Sequence, residues 1–138
     1  VTSKQKPLSI STVSFFSDFA GELVAEVYTR PGTYVGFEND TSAWTMVSQA
    51  TVYGSRMHGT QIPKDHFSPI HLGPNETVAL YVTLTTSDIR YSKGNESIIA
   101  SSELLDIHAG AGLADYPFSS EYFLYQPRSF NGAIHFDA

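Results

Sequence analysis

The residues with the most specific chemistry in this chain are asparagines. Four occur, at positions 39, 75, 95 and 131, and three of them open an Asn-Xaa-Ser/Thr triplet with no central proline: Asn39-Asp40-Thr41, Asn75-Glu76-Thr77 and Asn95-Glu96-Ser97. A hydroxyl two residues after the asparagine makes its amide an acceptor for an oligosaccharide, so each triplet reads as an N-glycosylation site on an exposed turn of a secreted protein. Other reactive patterns are missing. His58, His66, His71, His108 and His135 form neither a His-Xaa-His pair nor an HExxH run, and only Asp65-His66 sets a histidine beside a carboxylate. No zinc or other transition-metal site is expected from that scatter. Nucleophile elbows, phosphate loops and dinucleotide fingerprints are absent. The 14 carboxylates could include a glycosidase pair, but no spacing singles out two. No Asp-rich loop marks calcium around Asp106 or Asp115. The expectation is no cofactor, no metal and no enzyme activity.

The aromatic residues carry a second possibility. One Trp, eight Tyr and nine Phe are more than a small surface site requires, and most must fill the space between packed sheets. Those in expected loops, Tyr34, Phe37, Tyr91, Tyr116 and Phe118, are the candidates for stacking on the apolar faces of sugar rings.

Composition bounds the class. The chain has 138 residues, 16% of them charged, with a formal net charge of -6 and no cysteine. That length supports one domain with a proper core, residues 1–138, in which residues 1–8 read as a tail or as an exchanged edge strand. Eight scattered Lys and Arg cannot track a phosphate backbone, so nucleic acid is excluded as a partner. No run approaches the roughly 18 apolar residues of a membrane span, and no charged-then-apolar leader opens the chain, as expected of a secreted protein after processing. Without cysteine there are no disulfides or thiol chemistry.

The elements that must position these residues are strands. Residues 9–15 read as extended, and residues 23–29 alternate with Leu23, Ala25 and Val27 on one face. Arg30-Pro31-Gly32 has turn chemistry and predicts a hairpin into a short strand over 33–37. Residues 44–53 resume β-branched and aromatic spacing. The stretch from 54 to 70, with two glycines and two prolines, predicts an irregular connection holding a short strand. The run TVALYVTLTT is apolar on both faces and predicts a central strand. Residues 89–92 and 97–100 flank a Lys93-Gly94-Asn95 turn, and 104–108 suits a strand better than a helix start. Gly110-Ala111-Gly112 and Asp115-Tyr116-Pro117 read as a loop. Asn131-Gly132 between apolar runs signals a hairpin. Eight to ten short strands with almost no helical period predict an all-β fold, an antiparallel two-sheet β-sandwich of immunoglobulin-like or jelly-roll-like kind.

The segments GTYVGFENDTSAWTMVSQATV, ALYVTLTTSDIRYSKGN, IIASSELLDIHAGAGLADYPF and QPRSFNGAIHF resemble a family of β-sandwich domains from secreted proteins of marine bacteria and of microalgae such as diatoms. The family's recurring blocks fall here at residues 25–44, 81–94, 116–118 and 127–136, nearly end to end. The resemblance implies a sandwich fold and an extracellular module in surface or matrix proteins; it transfers no active site. In the family a short apolar stretch precedes the segment that Val1-Thr2-Ser3-Lys4 resembles. Its absence implies either an incomplete segment or a sandwich short of one edge strand, whose unpaired ladder invites a strand from a neighbour.

Together these readings give an extracellular or cell-surface, N-glycosylated, non-enzymatic structural module. Its partner is expected to be itself, in a filament or surface array held by strand-edge contacts. The alternative is a carbohydrate-binding, lectin-like module that takes polysaccharide on the loop aromatics.

Overall fold

A computed structural model describes residues 1–93, 97–113 and 124–138. Asn95, Tyr116 and Phe118 lie outside the described residues, as do the turn and loop expected around them. The chain is all-β and antiparallel, as its alternation predicts. No helix among the described residues is long and apolar enough to cross a membrane.

The first half of the chain supplies strands β1 (Thr2–Ser3), β2 (Leu8–Ser17), β3 (Gly21–Pro31), β4 (Thr45–Gly54), β5 (Thr60–Gln61) and β6 (Ile70–Leu72). The second supplies β7 (Val78–Leu84), β8 (Ile89–Lys93), β9 (Ile98–Ser101), β10 (Leu105–His108), β11 (Gly110–Leu113), β12 (Leu124–Phe130) and β13 (Gly132–Asp137). One layer of the sandwich is the three-stranded sheet β4-β3-β7, and the other is the larger sheet β11-β12-β8-β2-β13, with β5 and β6 also pairing to β2. A third sheet, β1-β10-β9, adds to these two. An isolated bridge between Thr2 and Thr77 ties it to the start of β7.

The core lies between β2 and β3. Leu23, Ala25 and Val27 of β3 face inward as their alternation requires, with Ala50 and Val52 of β4 beside them. On β2 the inward set begins as Leu8 and Ile10 and resumes as Val13 and Phe15, a change of parity. The cause is a bulge. His135 of β13 pairs with Thr12 and Phe136 with Ile10, so Ser11 is the extra residue and every later side chain changes face. Thr12 is left buried and its hydroxyl donates to the Ile62 carbonyl at 2.6 Å, which satisfies the group that burial would otherwise penalise.

Several expectations are corrected. β7 is not central: among the described residues it pairs along its length with β3 alone. Its outer face is covered by a loop rather than by a further strand, which is why apolar residues occur on both faces. Residues 33–37 form no strand. Phe37 N–H donates to the Tyr34 carbonyl at 3.0 Å and Gly36 adopts φ 89°, so the chain turns there and folds back over the small sheet. β8 and β9 do not pair; β8 joins β12 and β2 while β9 joins β10, which sends the two to different sheets. Residues 110–112 belong to β11 rather than to a loop.

Asn131-Gly132 is not a hairpin turn either. Phe130 pairs with Tyr91 of β8, and Gly132 pairs with Phe15 of β2, so one continuous path changes partner at Asn131. Glycine is required by close approach, because a Cβ at 132 would fall on the Ser14 carbonyl oxygen.

Candidate functional site

A cleft of about 490 Å³ runs beside β7. Strand pairing explains why it exists. Val78 exchanges two backbone hydrogen bonds with Val1, its N–H donating to the Val1 carbonyl and its carbonyl accepting from the Val1 amine, both at 2.9 Å. The backbone groups of Val78 therefore point away from β3. Alternation carries that direction to Leu80 and Val82, while the alternate Thr77 carbonyl and Thr85 N–H bond to Gly32 and Val24 on the β3 side. Among the described residues no strand pairs with β7 at Leu80 or Val82 on that edge.

Side chains confirm the gap. Val78 and Leu84 at the ends of β7 are buried, but Leu80, Tyr81 and Val82 between them are only half-buried. Leu80 and Val82 line the cleft together with the apolar Ile107, Phe130 and Ile134. Tyr34, Trp44 and Tyr81 line the cleft from the outer face of β7. The cleft therefore reaches both faces of the unpaired edge.

The loop over residues 32–44 is held to the small sheet by aromatic and charged contacts. Trp44 and Tyr81 meet edge to face at 5.3 Å between ring centroids, and Tyr81 meets Tyr28 the same way at 6.1 Å. Trp44 Nε1 donates to the Phe37 carbonyl at 2.8 Å. The Arg30 guanidinium lies 3.6 Å from the centre of the Phe37 ring and donates to the Thr33 carbonyl. Glu38 is buried and accepts from Gly36 N–H at 3.1 Å. Burial and then the Glu38 charge raise the Tyr34 pKa above its ordinary 10.0, so its phenol stays a donor at neutral pH.

The candidate aromatics are only partly brought together. Tyr34, from the loop over the small sheet, and Tyr91, from β8, line the same cleft, whereas Phe37 is not part of its lining and one of its faces is taken by Arg30. Tyr91 packs so closely on Gly112 that a Cβ there would strike its ring. Sequence reasoning missed Trp44 and Tyr81 as cleft residues. Trp44 reads as the first residue of a strand in the sequence, which hides its place in the loop.

Asn39 and Asn75 are both exposed in turns. Asn75 has φ 57°, a left-handed conformation that asparagine tolerates better than most residues. The Thr77 hydroxyl that completes its triplet shares a 2.7 Å hydrogen bond with Thr2.

Two histidines serve as cross-strand partners. His71 Nδ1 lies 2.6 Å from the Ser9 hydroxyl, and His135 Nε2 lies 2.8 Å from that of Ser14. Neither pair lines the cleft. Among the described residues no three His, Cys, Asp or Glu side chains converge in a metal-binding arrangement. Comparison with known proteins adds no relative: the chain matches no family model, no curated protein and no solved structure.

Proposed function

We propose that this chain is an extracellular, N-glycosylated, non-enzymatic structural module that self-associates through strand-edge contacts into a filament or a surface or matrix array. The observation that carries the reading is the β7 edge. Its Leu80 and Val82 backbone groups lack a strand partner among the described residues and face an apolar cleft. Exposed unpaired edges promote chain-to-chain pairing, and natural sandwiches usually blunt them with charge, proline or a cover. Val78–Leu84 contains neither charge nor proline. The extracellular assignment rests on the three glycosylation triplets, two of which sit on exposed turns.

The test is the size distribution of secreted material over a concentration series, by light scattering after size exclusion and by electron microscopy. Growth into ordered polymers is the expected result; a single species of monomer mass at every concentration would contradict the reading.

One observation favours a carbohydrate-binding alternative, namely that Tyr34 and Tyr91 line one cleft. On a glycan array that reading requires specific retention, lost on Tyr34→Ala or Tyr91→Ala. The edge geometry supports assembly better, because a sugar stacks on one aromatic face and leaves the backbone groups of Leu80 and Val82 without partners.

A further inference from the structure

We infer that Asn75 accepts its glycan only on a chain whose β1 has not yet docked, because in the folded protein residues 2–4 hold the Asn75-Glu76-Thr77 triplet in a closed turn. The inference rests on the glycosylation reading and adds to it the order of events at one site, sugar first and β1 second.

The ties to this turn are numerous and come from far away in sequence. Asn75 N–H donates to the Lys4 carbonyl at 2.7 Å, and Ser3 N–H donates to the Glu76 carbonyl at 2.9 Å. The Ser3 hydroxyl, on a residue only 1% exposed, donates to the Gly73 carbonyl at 2.5 Å and accepts from Glu76 N–H at 3.0 Å. The Thr77 hydroxyl shares its hydrogen bond with Thr2, and the Thr77 carbonyl accepts from Gly32 N–H at 2.9 Å. The Glu76 carboxylate closes the turn from within by accepting from Gly73 N–H at 2.6 Å. Every residue of the triplet is therefore held through its backbone, although all three are exposed.

Glycan transfer demands another shape. The asparagine amide nitrogen bonds to the anomeric carbon of a lipid-linked oligosaccharide, the bond from that carbon to the lipid pyrophosphate breaks, and the amide gives up one proton. The hydroxyl two residues on is recognised in the same step, so Asn75 and Thr77 must enter the transferase together. Glu76 cannot leave Ser3, nor Thr77 leave Thr2, unless β1 peels away. Modification of the folded chain then follows the population in which that segment is open, as for any local unfolding.

Asn39 has no such lock. Among the described residues the hydrogen bonds of its triplet run within residues 37–44. Asp40 N–H donates to the Phe37 carbonyl at 3.2 Å, the Asp40 carboxylate accepts from Ser42 N–H at 3.1 Å, and the Thr41 carbonyl accepts from Trp44 N–H at 3.3 Å. These bonds can open without detaching a strand.

The test compares acceptors in vitro. The full chain is made without glycans in a host that lacks the transferase, and is then incubated, folded, with purified eukaryotic oligosaccharyltransferase and its lipid-linked donor. A linear peptide of residues 71–79 is the unfolded reference, and site-resolved mass spectrometry gives the rate at each asparagine. Asn75 in the folded chain is expected to react about a hundredfold more slowly than in the peptide, the combined weight of several hydrogen bonds. Ser3→Ala and Thr2→Val, each checked for folding by its urea transition, are each expected to raise the Asn75 rate up to about tenfold and to leave the Asn39 rate unchanged. Where one variant does not fold, the other carries the comparison. A folded parent modified at the peptide's rate overturns the inference, as do folded variants whose Asn75 rate equals the parent's, and in both cases the glycosylation reading stands. A peptide that accepts no sugar overturns both.

Discussion

Val1 and Val78 hold each other through two backbone hydrogen bonds of 2.9 Å, one in each direction. This pair fixes the lower end of the β7 edge and leaves the rungs above it open.

Close approach makes glycine necessary at 132 and optional at 110. A Cβ at 132 would meet the Ser14 carbonyl, and φ there is 158°, whereas nothing lies within 4 Å of a Cβ at 110. Gly132→Ala is expected to destabilise the fold by about 1–3 kcal/mol through forced backbone displacement. Gly110→Ala should change stability by less than about 0.5 kcal/mol, the ordinary range for surface substitutions. Thermal or urea unfolding of the two variants side by side checks the contrast.

Asp106 ties β1 to β10. Its carboxylate accepts from the Ser101 hydroxyl at 2.5 Å and lies 3.3 Å from Lys4 Nζ. The Ser101 bond first, then the Lys4 bond and charge, hold its pKa below the ordinary 3.8. A carboxyl with a depressed folded pKa contributes stability that is present above 3.8 and lost as pH falls through the lowered value. Carboxyl-carbon NMR titration is expected to place Asp106 below 3.8, with Ser101→Ala and Lys4→Ala each moving it up. A titration at the ordinary value in the parent protein would contradict the geometry.

The glycosylation reading separates four asparagines into two groups. Expressed through a eukaryotic secretory pathway, the protein should lose one glycan's mass with each of Asn39→Gln, Asn75→Gln and Asn95→Gln, and none with Asn131→Gln. Intact-mass spectrometry before and after deglycosylation reads this directly. Full retention of mass in all four variants would remove the support for an extracellular module.

Much of the fold was legible because alternation at period two maps onto burial. Leu23, Ala25 and Val27 announce the inner face of β3, and residues 44–53 read as the strand beside it, which runs Thr45–Gly54 with Trp44 left in the loop. The Ser11 bulge was not legible, since an inserted residue leaves no mark in composition and only reverses the parity of the side chains after it. β7 misled for a related reason: apolar residues on both faces report cover on both faces, not the identity of the cover. Here the outer face is covered by Trp44 from a loop, and the inner one opens into the cleft. Asn131-Gly132 carried the residues of a tight turn, but the glycine answers to the Ser14 carbonyl of a neighbouring strand, a contact 118 positions away in sequence that no local pattern encodes. The cleft itself was out of reach because it is the space beside an edge, and edges are set by which strands pair.

The central claim concerns two backbone amides, and hydrogen exchange at those amides tests it most directly. In dilute monomer, Ala79, Tyr81 and Thr83, whose groups point toward β3, should be protected, while Leu80 and Val82 exchange rapidly. On assembly, Leu80 and Val82 are expected to become protected by about tenfold or more while their neighbours change little. Assembly that leaves Leu80 and Val82 exchanging at their monomer rate would contradict the account.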